Sequence, residues 1–208
     1  MFKNLILFGL FLLSLDASGN TEQHLYQKVE PKILVGGQSN ALSCDWSYFE
    51  NKTGIKVKNI AISGTHIQGL IDEFPDNLGE FNDMIFVHGE SDALEKTNPR
   101  TYIDMVNRYQ NMLGVSNIYF SSVGYTTDSS IDDDFDAIRN VVEREVNSRT
   151  DWVIAYKNAK TFRERGLLID HIHFTSAGCM EMMDHIMLKL LEDKFRRYFK
   201  VHYSKEAH

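Results

Sequence analysis

Cysteine is nearly absent from this chain: Cys44 and Cys179 are the only two in 208 residues. Neither has a CxxC neighbour, so zinc ribbons and disulfide-dense scaffolds are excluded as the source of stability. Proline is scarce, with three in all, and no Pro-rich linker interrupts the chain. There is no surplus of positive charge. Lys and Arg number 22 against 29 Asp and Glu, a formal net charge of −7, which disfavours nucleic acid and anionic membrane as partners because both select a basic face. Beyond residue 15 no apolar run is long enough to cross a bilayer. Hydrophobic residues make up 43% and charged residues 25%, an ordinary globular composition with enough apolar material for one sizeable core.

The first twenty residues read as a segment apart from the fold. Lys3 supplies a positive start, Leu5 to Leu15 form an apolar stretch interrupted only by Gly9 and Ser14, and Ala17-Ser18-Gly19 offers small residues for cleavage. Residues 1–19 are therefore expected to be a signal peptide and 20–208 a single domain, secreted or periplasmic, with no stable membrane insertion after cleavage; an uncleaved anchor is the alternative. No Cys lies near the cleavage region to carry a lipid. In an oxidising compartment Cys44 and Cys179 can either bond to each other or stay as separate buried thiols, and the residues leave both open.

From Lys32 onward, apolar runs alternate with helical periodicity. Strands are expected at Lys32–Val35, Val57–Ile62, Met84–Val87, Asn117–Val123 and Trp152–Tyr156. Between them fall helices at Asn40–Glu50, Ile67–Phe74, Arg100–Leu113 and Ser130–Asn147, with a last one from Ser176 to about Phe199. Pro99 suits the first turn of its helix, Asp132 to Asp134 suit the positive end of theirs, and Ser176 is a plausible N-cap. Strands apolar throughout and separated by helices indicate a parallel sheet covered on both faces. The expectation is a three-layer α/β/α sandwich, flavodoxin-like, with about five parallel strands. Ligands bind such sheets at the carboxyl ends of the strands.

Two motifs at that edge carry the chemistry. Gly37-Gln38-Ser39-Asn40 follows the first strand, and Asp170-His171-Ile172-His173 precedes the last helix. A Ser on a strand-to-helix turn, an imidazole and a carboxylate three residues before it are the minimum apparatus for acyl transfer. Ser39 could equally be a plain N-cap. What points further is its surroundings: Gly36 and Gly37 permit a sharp turn, and a helix start offers free N–H groups of the kind a developing oxyanion needs. Glu90 and Asp92 read as loop organisers; as a carboxylate pair they could also suggest a glycosidase, but Ser39 and His173 would then have no role. His66, Asp170, His171 and His173 include metal-ligand types without metal-ligand spacing, so no metal and no cofactor is expected.

These motifs resemble the SGNH (GDSL-like) hydrolase superfamily, and more narrowly its sialate O-acetylesterase-like carbohydrate esterases. The match runs in four blocks in the family's order: Gly37 to Asn40, Ile62-Ser63-Gly64-Thr65, His88-Gly89-Glu90-Ser91-Asp92, and Asp170 to His173 followed by Phe174-Thr175-Ser176-Ala177-Gly178. The resemblance implies Ser39 as nucleophile, His173 as general base and Asp170 as its partner. It implies oxyanion donors at Ser39 N–H, Gly64 N–H and position 88, with Gln38, Asn40, Glu90 and Ser91 supporting the loops or the substrate. Position 88 departs from the pattern, because His88 stands where the family has Gln; it is expected to donate to the oxyanion in place of the Gln amide, the alternative being that Ser91 or water donates. The implied reaction is removal of a short acyl group, most plainly acetyl, from a small-molecule or glycan ester. Lipid or thioester hydrolysis, acetyl transfer to a glycan, and glycan binding without catalysis are the alternatives.

Overall fold

The computed structural model describes residues 32–75, 78–126, 128–157 and 164–203, with side chains through residue 197; the expected signal peptide lies outside them. Five strands, β1 (Lys32–Gly37), β2 (Lys56–Asn59), β3 (Asp83–Val87), β4 (Asn117–Ser121) and β5 (Trp152–Tyr156), form one sheet in the order β2-β1-β3-β4-β5. Every pairing is parallel. This is the flavodoxin-like order, whose topological switch point falls between β1 and β3.

The helices that flank the sheet among the described residues include α1 (Ser39–Ser43), α2 (Ser47–Thr53), α3 (Ile67–Asp72), α4 (Glu90–Leu94), α5 (Pro99–Leu113), α6 (Asp132–Asn147) and α7 (Ser176–Tyr203). The two faces follow from the alternation of side chains along each strand. Leu34, Met84, Phe86, Ile118, Phe120 and Trp152 point to one core with residues of α3, α5 and α6. Ile33, Val35, Ile85, Val87, Tyr119 and Tyr156 point to the other, with residues of α1, α2 and α7. Both faces being apolar, the strands read as continuous hydrophobic runs.

Local chemistry accounts for the helix ends. Asn98 accepts from the N–H groups of Arg100 and Thr101 ahead of Pro99, and Gly114, at φ 66°, stops α5 in the left-handed conformation. The expected single helix over 40–50 is instead two. The Ala41 carbonyl, which a continuing helix would give to the amide of Asp45, accepts from the Trp46 indole at 2.7 Å and the Asn59 amide at 3.0 Å. Cys44, extended at ψ 136°, is bonded to Cys179. Strand β2 ends earlier than expected, although Ile60 and Ile62 still donate to Val35 and Gly37 of β1. Helix α4 has no counterpart in the sequence reading; one turn long, it is too short for apolar periodicity to reveal.

Candidate active site

The site occupies the carboxyl edge of the sheet at the switch point. Strand β1 ends in Gly37, whose φ of +136° is closed to side chains; a Cβ there would lie 2.0 Å from the Val87 carbonyl of β3. That close approach lets the chain turn out of the sheet and start α1 at once, which leaves Ser39 half-buried at the rim. Gly89 makes the corresponding turn after β3, at φ +118°, where a Cβ would meet Val123 at 2.5 Å.

His173 arrives from the far end of the chain. An antiparallel bridge between Leu168 and Phe174, with the Ile169 amide donating to the His173 carbonyl at 2.8 Å, folds residues 168–174 into a tight loop. Within it the Asp170 carboxylate accepts from the amides of Ile172 at 2.9 Å and His173 at 2.8 Å, and its second oxygen lies 2.7 Å from His173 Nδ1. His173 Nε2 lies 2.9 Å from Ser39 Oγ. A carboxylate can only accept, so Nδ1 carries the proton and Nε2 presents its lone pair to the serine hydroxyl. Burial pushes the Asp170 carboxyl up, but the two amides and the imidazole outweigh it and hold it down at about 2. Asp170 is ionised at any ordinary pH.

Two buried amides knit the blocks together. The Gln38 side chain donates to the Thr65 carbonyl at 2.5 Å and accepts from the Ser91 amide at 3.3 Å, joining the loops after β2 and β3 to the turn after β1. Asn40 donates to the Ile172 carbonyl at 3.1 Å and accepts from the Phe174 amide at 3.0 Å. Gly64 is in the left-handed conformation at φ 69°, with open space where a side chain would be. His171 is exposed.

His88 is not where the expectation put it. Its ring has no accessible surface and is stacked on Phe86, centroids 4.8 Å apart, and on Tyr102 at 5.8 Å. Nδ1 faces the Tyr102 hydroxyl at 3.3 Å and the Asp92 carboxylate at 3.5 Å, while Nε2 is buried without a hydrogen-bond partner among the described residues. An imidazole sealed in this way does not reach an oxyanion at the rim, so its expected role as donor is withdrawn. His88 directly follows β3, two residues beyond Phe86 and so on the same face, and its flat ring stacks between that of Phe86 and that of Tyr102 on α5. Burial, with His66 adding to it, lowers its proton affinity to about 3.

Glu90 and Asp92 organise the loops. Asp92 accepts from the Ile67 amide at 3.1 Å, capping α3 from a neighbouring helix, and burial pushes its carboxyl up to about 6. Glu90 is buried at the start of α4; burial raises it most, against hydrogen bonds from its own amide and from Asn40. The Tyr102 stack and the Asp92 cap left no trace in the sequence, because both join residues remote in the chain. Among the described residues no group of three His, Cys, Asp or Glu side chains is placed to hold a metal ion, and no helix is long and apolar enough to cross a membrane.

No protein-family model matches this sequence, and no curated protein matches it significantly. Solved structures do match the fold. A member of the lipolytic protein G-D-S-L family from Veillonella parvula superposes with a TM-score of 0.60 at 11% identity, over 76% of this chain and 96% of that one. Axe2, an acetylxylan esterase from Geobacillus stearothermophilus, superposes with a TM-score of 0.58 at 15% identity, over 76% and 92%. LAE5, an alpha/beta hydrolase enzyme from the metagenome of Lake Arreo, gives 0.53 at 14% identity, over 76% and 94%. With the strand order, the switch-point site and these superpositions in hand, the chain has the fold of the GDSL/SGNH hydrolases.

Proposed function

We propose that this chain is a serine ester hydrolase of the SGNH type that removes short acyl groups, acetyl first among them, from hydroxyls of a carbohydrate. The observation that carries the reading is the unbroken hydrogen-bonded line from Ser39 through His173 to Asp170, made by side chains 134 and 3 residues apart. A hydroxyl is a poor nucleophile until a base takes its proton; Nε2 of His173 is aimed to do so, and ionised Asp170 stabilises the imidazolium that forms.

In this mechanism Ser39 Oγ attacks the ester carbonyl as its proton passes to His173. The carbonyl oxygen gains the negative charge and is held by the backbone N–H groups of Ser39 and Gly64. His173 then protonates the departing sugar oxygen as its bond to the acyl carbon breaks. Water, deprotonated by the same imidazole, attacks the acyl-enzyme and frees the acid and Ser39. The carbohydrate preference is supported by the Gly-Gln-Ser-Asn and Gly-Glu-Ser-Asp blocks and by an acetylxylan esterase among proteins of similar fold. Action outside the cytoplasm is supported by the leader-like first twenty residues.

Purified protein is expected to release p-nitrophenol from p-nitrophenyl acetate, and acetate from acetylated xylan or sialic acid. Ser39→Ala, still folded by circular dichroism, should lose this activity by a factor of at least about 10³. A rate that rises steadily from acetyl to octanoyl esters would replace the carbohydrate reading with a lipolytic one. A wild-type protein inert towards every ester would remove the hydrolase reading itself.

A further inference from the structure

We infer that Asn40 is a positioning residue: its side-chain amide locks the loop that carries His173 onto the helix that carries Ser39. Asn40 follows Ser39 directly, and its side chain binds the residues on either side of His173, Ile172 through its carbonyl and Phe174 through its amide. The base is thus bracketed by the neighbour of the nucleophile. The side chains of Asp170 and His173 are 50% and 36% exposed, so water competes for their mutual contact. Asn40 is 2% exposed, and the bond it accepts from the Phe174 amide is buried, so water competes less there. The distance of 2.9 Å between Ser39 and His173 is therefore set chiefly from below, by the buried bracket.

The bracket works in only one orientation. Asn40 Nδ2 must face the Ile172 carbonyl and Oδ1 the Phe174 amide; a flipped amide would oppose oxygen to oxygen and N–H to N–H.

The inference borrows the esterase reading only for its kinetic test. Asn40→Ala should lower kcat by roughly 100-fold, the cost of displacing a base by about an ångström, with KM within about threefold of wild type. Asn40→Asp, which keeps an acceptor for the Phe174 amide but sets an oxygen against the Ile172 carbonyl, should lower kcat in the same way. Wild-type kcat in either variant overturns the proposal; if Asn40→Ala does not fold, Asn40→Asp decides. The imidazole 15N shifts of His173 supply a reading independent of activity. A single Nδ1–H tautomer in wild type giving way to an averaged one in Asn40→Ala is the expected result, and wild-type shifts in that variant overturn the proposal even if no ester is ever cleaved.

Discussion

Cys44 and Cys179 are joined, their Cα atoms 5.4 Å apart across 135 residues of sequence. Cys44 ends the short helix that Ser39 begins, and Cys179 lies in the first turn of the helix that follows His173. One covalent bond therefore ties together the two segments that carry the proposed nucleophile and base.

A closed loop of that length removes much of the unfolded chain's freedom. Replacing both cysteines by Ser should cost about 3–5 kcal/mol of stability. Denaturant midpoints of the oxidised protein and the double variant check this; midpoints that coincide would show that the bridge contributes little.

Gly37 should tolerate no side chain. Gly37→Ala places a methyl 2.0 Å from the Val87 carbonyl in a backbone conformation that L-residues avoid, and pushes β1 from β3 where Gln38 N donates to that same carbonyl at 3.0 Å. A loss of about 3 kcal/mol or more is expected, read as a fall in thermal midpoint or in soluble yield.

Asp170 should not limit activity in acid. Held at about 2, it stays ionised from pH 4 upward, so an acidic limb in kcat/KM above pH 4 cannot come from it. Asp170→Asn should reduce kcat by about 10²–10⁴ across the whole pH range, since the imidazole loses its fixed tautomer. A variant with wild-type turnover would detach Asp170 from the mechanism.

His88 and Asp92 give stability an unusual pH dependence. His88, depressed from 6.5 to about 3, contributes stability that is complete above 6.5 and is lost as pH falls towards 3. Asp92, raised from 3.8 to about 6, contributes stability that is complete below 3.8 and is lost as pH rises through 6. Between those two carboxyl values the slopes cancel, because the unfolded chain carries its proton on His88 and the folded chain on Asp92. Relative to wild type, His88→Gln should therefore gain stability as pH drops from 6 to 4, on the order of 1 kcal/mol per pH unit. Parallel pH profiles of the two proteins in chemical denaturation would contradict this pairing.

The layers were legible in the amino-acid pattern alone. Runs such as Met84–Val87, short and apolar at every position, read as strands buried on both faces, and the helical segments between them indicate parallel pairing. Gly37-Gln38-Ser39-Asn40 and Asp170 to His173 were also legible, because the residue types and their place at strand and helix ends are local properties. The bond between Cys44 and Cys179 was left open by the chain and decided by the fold, since two thiols bond only where packing brings them together. Helix α4 was hidden by its length of one turn, and the break at Ala41 because it depends on contacts with distant segments, Asn59 and Cys179, rather than on periodicity. His88 is the clearest case. As a residue in a motif it suggested a donor to substrate, but the tertiary structure turned its ring inward against Phe86 and Tyr102, a stack that joins a strand end to a remote helix. Sequence patterns fix which groups stand at the sheet edge; only packing decides which of them face the solvent.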